Sequence, residues 1–131
     1  MTLPSGLSAA VDARQERFLA ELEALVNIDC GSYTPDGVNQ VAAVVAGSLT
    51  DLGAVVERIA LEPAEGEPRL GDLVVGRLEG GGPRLLLIGH MDTVFEPGTV
   101  AQRPFRREGE RARGPGVMPW RRSGRWARTH R

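Results

Sequence analysis

Apolar residues recur at helical spacing along the first fifth of the chain. Val11, Phe18, Leu19, Leu22, Leu25 and Val26 share one stripe of a 3.6-residue period, with Asp12, Glu16, Glu21 and Glu23 mostly elsewhere. The pattern predicts an amphipathic helix over Ser8 to Ile28, with Ser8 as its N-cap. Asp29 to Asp36 contains Gly31, Ser32 and Pro35 and reads as a loop. A second helix is expected from about Asp36, its side chain capping, with Val38, Val41, Val45, Leu49 and Leu52 at spacings of 3, 4, 4 and 3. Gly53 stands where a left-handed C-terminal cap falls.

The period then changes. Val55 to Leu61 reads as a strand in which Glu57 shares a face with Val55 and Ile59. Glu62 to Gly71, with two Pro and three Glu, is a solvent loop. Asp72 to Leu78 is a second strand, and Glu79 to Pro83 forms a tight turn. Leu85 to Ile88 is apolar on both faces, as an interior strand of a covered sheet should be. Gly89 to Met118 has five Gly, three Pro and no helical period, and so long a connection is either functional or unstructured. Two helices feeding a sheet with an interior strand predict an α/β layer architecture.

Composition narrows this picture. A chain of 131 residues, 41% hydrophobic, has the size of one domain and can fill one modest core, which excludes wholesale disorder. No apolar run approaches membrane-spanning length, and no cationic stretch leads into an apolar one near the start. A cytoplasmic protein without membrane association is therefore expected. The lone Cys30 excludes an intramolecular disulfide. With no CxxC partner and no His near it in sequence, it reads as a small, partly buried residue and not a nucleophile. Charge is divided unevenly: residues 1–102 carry six Arg against fifteen acids, whereas residues 103–131 carry ten Arg against two. All 16 basic residues are Arg, a mark of GC-rich coding sequence.

The candidate chemistry lies at the end of the third expected strand, in Leu85-Leu-Leu-Ile-Gly-His-Met-Asp-Thr-Val94. Functional groups in open α/β sheets gather at the carboxyl ends of strands. A neutral imidazole such as that of His90 is a zinc ligand. A carboxylate such as that of Asp92 accepts the other ring N–H and fixes the ring. On spacing alone, a hydrogen-bonded His beside a turn-forming Asp is the commoner outcome. Gly80-Gly81-Gly82 has no Lys-Ser/Thr after it and is no phosphate loop; Gly114-x-Gly116 lacks the third Gly of a dinucleotide fingerprint.

Several ordered blocks alter that balance: Val26-Asn-Ile-Asp-Cys-Gly-Ser-Tyr33, Asp36-Gly-Val-Asn-Gln-Val-Ala42, Leu87-Ile-Gly-His-Met-Asp-Thr-Val-Phe95, Pro97-Gly98, Pro104-Phe105 and Arg113-Gly-Pro-Gly-Val117. Together they resemble the start of a zinc metallopeptidase. The family is that of the glutamate carboxypeptidases, aminoacylases and acetylornithine or succinyl-diaminopimelate deacylases, and the first two blocks look closest to the bacterial glutamate carboxypeptidase branch. The resemblance runs from about Ala13 to Met118. It implies a zinc-exopeptidase-like mixed sheet flanked by helices, of which this chain holds the N-terminal part, truncated. It also implies a two-zinc (Zn2+) site that cleaves an amide beside a carboxylate-bearing amino acid, in small peptides or N-acyl amino acids. His90 matches the first-zinc ligand and Asp92 the catalytic acidic residue that orients it. Family members often dimerise through an inserted domain, which is expected to be absent here.

The family pattern next calls for Gly-x-Gly-x-x-Asp, whose Asp bridges the two metals, but Gly114-Pro115-Gly116-Val117-Met118 is followed by Pro119. Residues 1–118 thus read as part of a metallopeptidase catalytic domain, and residues 119–131 as an aberrant Arg/Trp-rich tail with five Arg and no acid. The abrupt change fits a reading-frame shift near codon 119, and an inactive chain is expected. Two other readings stand beside it. The chain could be a non-catalytic interaction module that complements a separate remainder. Alternatively, Arg121, Arg122, Arg125 and Arg128 with Trp120 and Trp126 could bind RNA or single-stranded DNA; nucleic acid is the less favoured partner.

Overall fold

The computed structural model describes residues 5–109 and 111–117. Two helices, α1 (Ser5–Asp12) and α2 (Gln15–Val26), precede α3 (Pro35–Asp51) and the strands β1 (Val55–Ile59) and β2 (Leu73–Arg77). A one-turn helix α4 (Thr99–Gln102) and the strands β3 (Arg106–Glu108) and β4 (Arg111–Arg113) follow. The class is mixed α/β. The sheets are two separate antiparallel pairs, β1 with β2 and β3 with β4, joined to no larger sheet among the described residues. No helix there is long and apolar enough to cross a membrane.

The single helix expected over Ser8 to Ile28 is two. Arg14 N–H donates to Val11 in an i→i+3 bond, and Phe18 N–H to Arg14 starts the next turn. Ser8 therefore lies inside α1 and caps nothing. Ala13 and Arg14 are good helix formers, so packing rather than propensity accounts for the break. Leu7 and Val11 are about half exposed and gain little by staying in line with α2, and Phe18 of the expected stripe is 55% exposed.

α3 follows its sequence pattern more closely. Pro35 holds the first helical position, where its missing N–H and fixed φ suit the start. Asp36 sits in the first turn, favourably placed for the helix dipole, while Thr34 occupies the cap position without a side-chain bond. At the other end Ala54 N–H donates to Leu49 and Gly53 N–H to Thr50. With Gly53 at φ 86°, this is the paired-bond termination that the glycine permits.

The core is small. Cys30, Val38 and Val41 are buried together, with Leu25, Ile28, Val45 and Met91 packed against them. α3 also packs on the β1–β2 pair through Leu49 against Gly76, which is opposite Val56 in the register. That leaves the face carrying Val55 and Ile59 outward, at 68% and 37% exposure. Asn39 on α3 accepts from Asp72 N–H (2.8 Å), and Arg58 pairs with Asp72 (2.8 Å), fixing the entry to β2.

The interior strand expected at Leu85 to Ile88 is absent. These four residues have no ladder partner among the described residues and are 79–86% exposed. A strand exists through its neighbours, and apolar character alone does not supply them. Conversely, the segment from Gly89 contains α4 and the β3–β4 hairpin, local elements too short to show a period.

Four adjacent exposed apolar side chains with unpaired backbone form an aggregation-prone edge. Leu86→Lys with Ile88→Lys is expected to raise the concentration at which the polypeptide stays monomeric in sedimentation velocity, without lowering its melting temperature. An unchanged onset of association would place the adhesive surface elsewhere.

Candidate functional site

The site is built where two loops distant in sequence run side by side. Thr93 N–H donates to the Cys30 carbonyl (2.8 Å), and Ser32 N–H donates to the Thr93 carbonyl (3.0 Å). These two bonds form a parallel bridge between Gly31 and Thr93. Glycine at 31 is required by the close approach: a Cβ there would lie 2.6 Å from the Phe95 carbonyl oxygen. Gly37, in the first turn of α3, is pressed against the Asp29 carbonyl in the same way.

Side chains of the 27–32 loop extend the grip. The Asp29 carboxylate accepts from Gly98 N–H (2.8 Å) and Val100 N–H (3.1 Å), satisfying donors at the start of α4 that have no partner within that helix. Asn27 accepts from Phe105 N–H (3.0 Å), just before β3. Arg107 of β3 reaches back to Glu16 of α2 with two bonds (3.0 and 2.9 Å). Beside the bridge, Gly31 to Thr34 and Thr93 to Pro97 line an open cleft of about 400 Å³.

His90 and Asp92 lie on the rim of this junction. His90 Nδ1 is 2.9 Å from the Asp92 carbonyl oxygen and 3.2 Å from Asp92 Oδ1. Both neighbours are acceptors, so the hydrogen bonds assign the ring proton to Nδ1 and leave the lone pair on Nε2. The ring is exposed, and Nε2 makes no hydrogen bond to another described residue. Asp92 Oδ2 accepts from Ser32 Oγ (2.5 Å). The Ser32 hydroxyl, with help from a backbone bond and His90, holds the Asp92 carboxyl below its usual range, against an opposing effect of burial.

Other expected residues fall as follows. Cys30 is buried at 6% exposure, deeper than expected, and burial pushes its thiol pKa up, the opposite of what a nucleophile needs. Gly114 packs against Val26 and Phe105, and Gly116, at φ 76°, abuts Thr93. The Gly-Pro-Gly segment thus does reach the His–Asp junction. Met118, Pro119, His130 and the Arg/Trp tail lie outside the described residues. Among the described residues, no three His, Cys, Asp or Glu side chains converge closely enough to hold a metal ion.

Sequence reasoning missed Ser32, Asp29 and Asn27 as individual contributors. Their only local signal was a run of short polar residues in a loop, the types that hydrogen-bond backbone.

No family model matches the chain. Over 110 residues, 83% of its length, it is 39% identical to carboxypeptidase G2 of Pseudomonas sp. (strain RS-16). That match takes in 25% of the relative, so the chain spans about a quarter of the length of the curated relative it matches. The similarity supports a glutamate carboxypeptidase-like relationship.

Two outcomes follow from this geometry. Asp29→Ala is expected to strip hydrogen-exchange protection from the Gly98 and Val100 amides, at a cost of about 0.5–2 kcal/mol in unfolding experiments, the range for a lost helix cap. Unaltered protection would show that α4 holds itself. For Asp92, a folded-state pKa below the unfolded value means that its stabilisation is present above about pH 4 and is lost as pH falls through the lowered value. A carbon-13 titration of its carboxyl should have a midpoint below about 3.9, with the Ser32 and Thr93 amides shifting in step. A midpoint at or above that value would contradict the hydrogen-bond arrangement.

Proposed function

We propose that this chain carries the first part of a zinc-dependent carboxypeptidase-like hydrolase acting on amides of peptides or N-acyl amino acids. We further propose that the 131-residue polypeptide does not turn over substrate by itself. The observation that carries the reading is the His90–Asp92 pair: an exposed imidazole whose Nδ1–H is engaged and whose Nε2 faces outward, in a chain related to carboxypeptidase G2. In this reading His90 is a metal ligand and Asp92 orients it.

The described residues do not make up a zinc site. A zinc centre takes at least three protein ligands, and the described residues bring one imidazole to this junction. Pro119 also stands where the resemblance calls for a bridging carboxylate. No catalytic step is therefore routed through a metal here. What these side chains accomplish is preparation: Asp92 fixes the tautomer and direction of His90, and the 27–32 loop fixes the segment that carries both.

The exposure of Leu85 to Ile88 supports a second reading, an interaction module that functions only when another polypeptide covers that segment. Co-expression with an in-frame downstream portion of a carboxypeptidase of this type separates the two: recovered activity favours the module, and absence of association removes it.

For the main reading, the purified polypeptide is expected to show no zinc-restored, chelator-sensitive hydrolysis of glutamyl peptides or N-acyl amino acids. Turnover abolished by EDTA and restored by zinc would refute the proposed inactivity.

A further inference from the structure

We infer that Ser32 is a positioning residue that sets the orientation of the Asp92 carboxylate and, through it, reinforces the Nδ1–H tautomer of His90. The inference rests on the reading of His90 as the ligand and Asp92 as its orienting acid.

A carboxylate attached to a loop can turn about its terminal torsion, which is broad and two-fold, so contact with His90 alone does not fix its plane. Asp92 has both oxygens engaged. Oδ1 faces His90 Nδ1 at 3.2 Å, and Oδ2 accepts from Ser32 Oγ at 2.5 Å. The second contact comes from 60 residues away, on a loop that is itself held to Thr93 by two backbone bonds. Ser32 Oγ also lies 3.3 Å from the Thr93 carbonyl, so its hydroxyl is bracketed by acceptors of the same segment.

The arrangement is not that of a nucleophile. An activated serine gives its proton to a base, and here the hydroxyl donates to a carboxylate whose other oxygen carries the imidazole. Ser32 makes no covalent bond in this scheme. Its effect is to remove the freedom of Asp92 to turn away from the ring, so that the carboxylate adds to the Asp92 carbonyl, 2.9 Å from Nδ1, in keeping the proton on Nδ1 and the lone pair on Nε2.

The test uses the full polypeptide without metal or substrate. Nitrogen-15 spectra at a fixed pH where the imidazole is neutral report the Nδ1–H to Nε2–H ratio of His90, with His130→Gln removing the other histidine. Wild type should favour Nδ1–H. Ser32→Ala should lower that ratio about fivefold, the size of one net hydrogen bond, and Ser32→Thr should restore it. Retained exchange protection of the Thr93 amide, which donates to Cys30, verifies that the bridge persists. Where Ser32→Ala disrupts the bridge, the isosteric pair Ser32→Thr and Ser32→Val compares hydroxyl with methyl at constant volume. An unchanged ratio in S32A, or equal ratios in S32T and S32V, overturns the assignment. Because no metal or activity enters the readout, a tautomer shift in a chain that proves unrelated to zinc chemistry would leave the role of Ser32 standing and remove the carboxypeptidase reading alone.

Discussion

Two backbone hydrogen bonds, Thr93 to Cys30 and Ser32 to Thr93, join parts of the chain about sixty residues apart, and the candidate site depends on them. They align the loop after α2 with the segment that carries His90 and Asp92. Among the described residues neither loop lies on a sheet, and this short parallel contact takes the place of a strand ladder. Its geometry dictates residue types: glycine at 31 below the Phe95 carbonyl, glycine at 37 against Asp29, and a small apolar residue at 30. Cys30 fills that last position as a core side chain.

Around the bridge, the 27–32 loop acts through short polar side chains on backbone donors. Asn27, Asp29 and Ser32 each bind a different point of the segment from 92 to 105. Such bonds are directional and cost little side-chain entropy, unlike the long surface ion pairs Arg17–Glu21 and Arg77–Glu57, which stay solvent-screened. Electrostatics at the site follows the same economy. One carboxylate is divided between a hydroxyl and an imidazole, and together with the Asp92 carbonyl it engages Nδ1 of the ring.

The hydrophobic side of the structure is thinner than its composition suggests. The chain is 41% hydrophobic, yet the buried cluster centres on Cys30, Val38 and Val41, while Leu85 to Ile88 stay in solvent. Burial of apolar area is the main favourable contribution to folding, so leaving the most apolar run uncovered forgoes stabilisation.

The sequence by itself determined what depends on near neighbours. The helix of Val38, Val41 and Val45 ending at Gly53 follows from residues within a few positions of one another, as do the strands around Val56 and Val74 and the pairing of His90 with Asp92 two residues on. Tertiary structure alone decided the rest. Ser32 meets Asp92 across 60 residues, Asp29 meets Gly98 across 69, and Asn27 meets Phe105 across 78, separations at which no periodicity carries information. It also decided the break between α1 and α2 and the non-strand state of Leu85 to Ile88. An apolar pattern states that a residue prefers burial, but whether a partner surface arrives to bury it is a property of the whole fold.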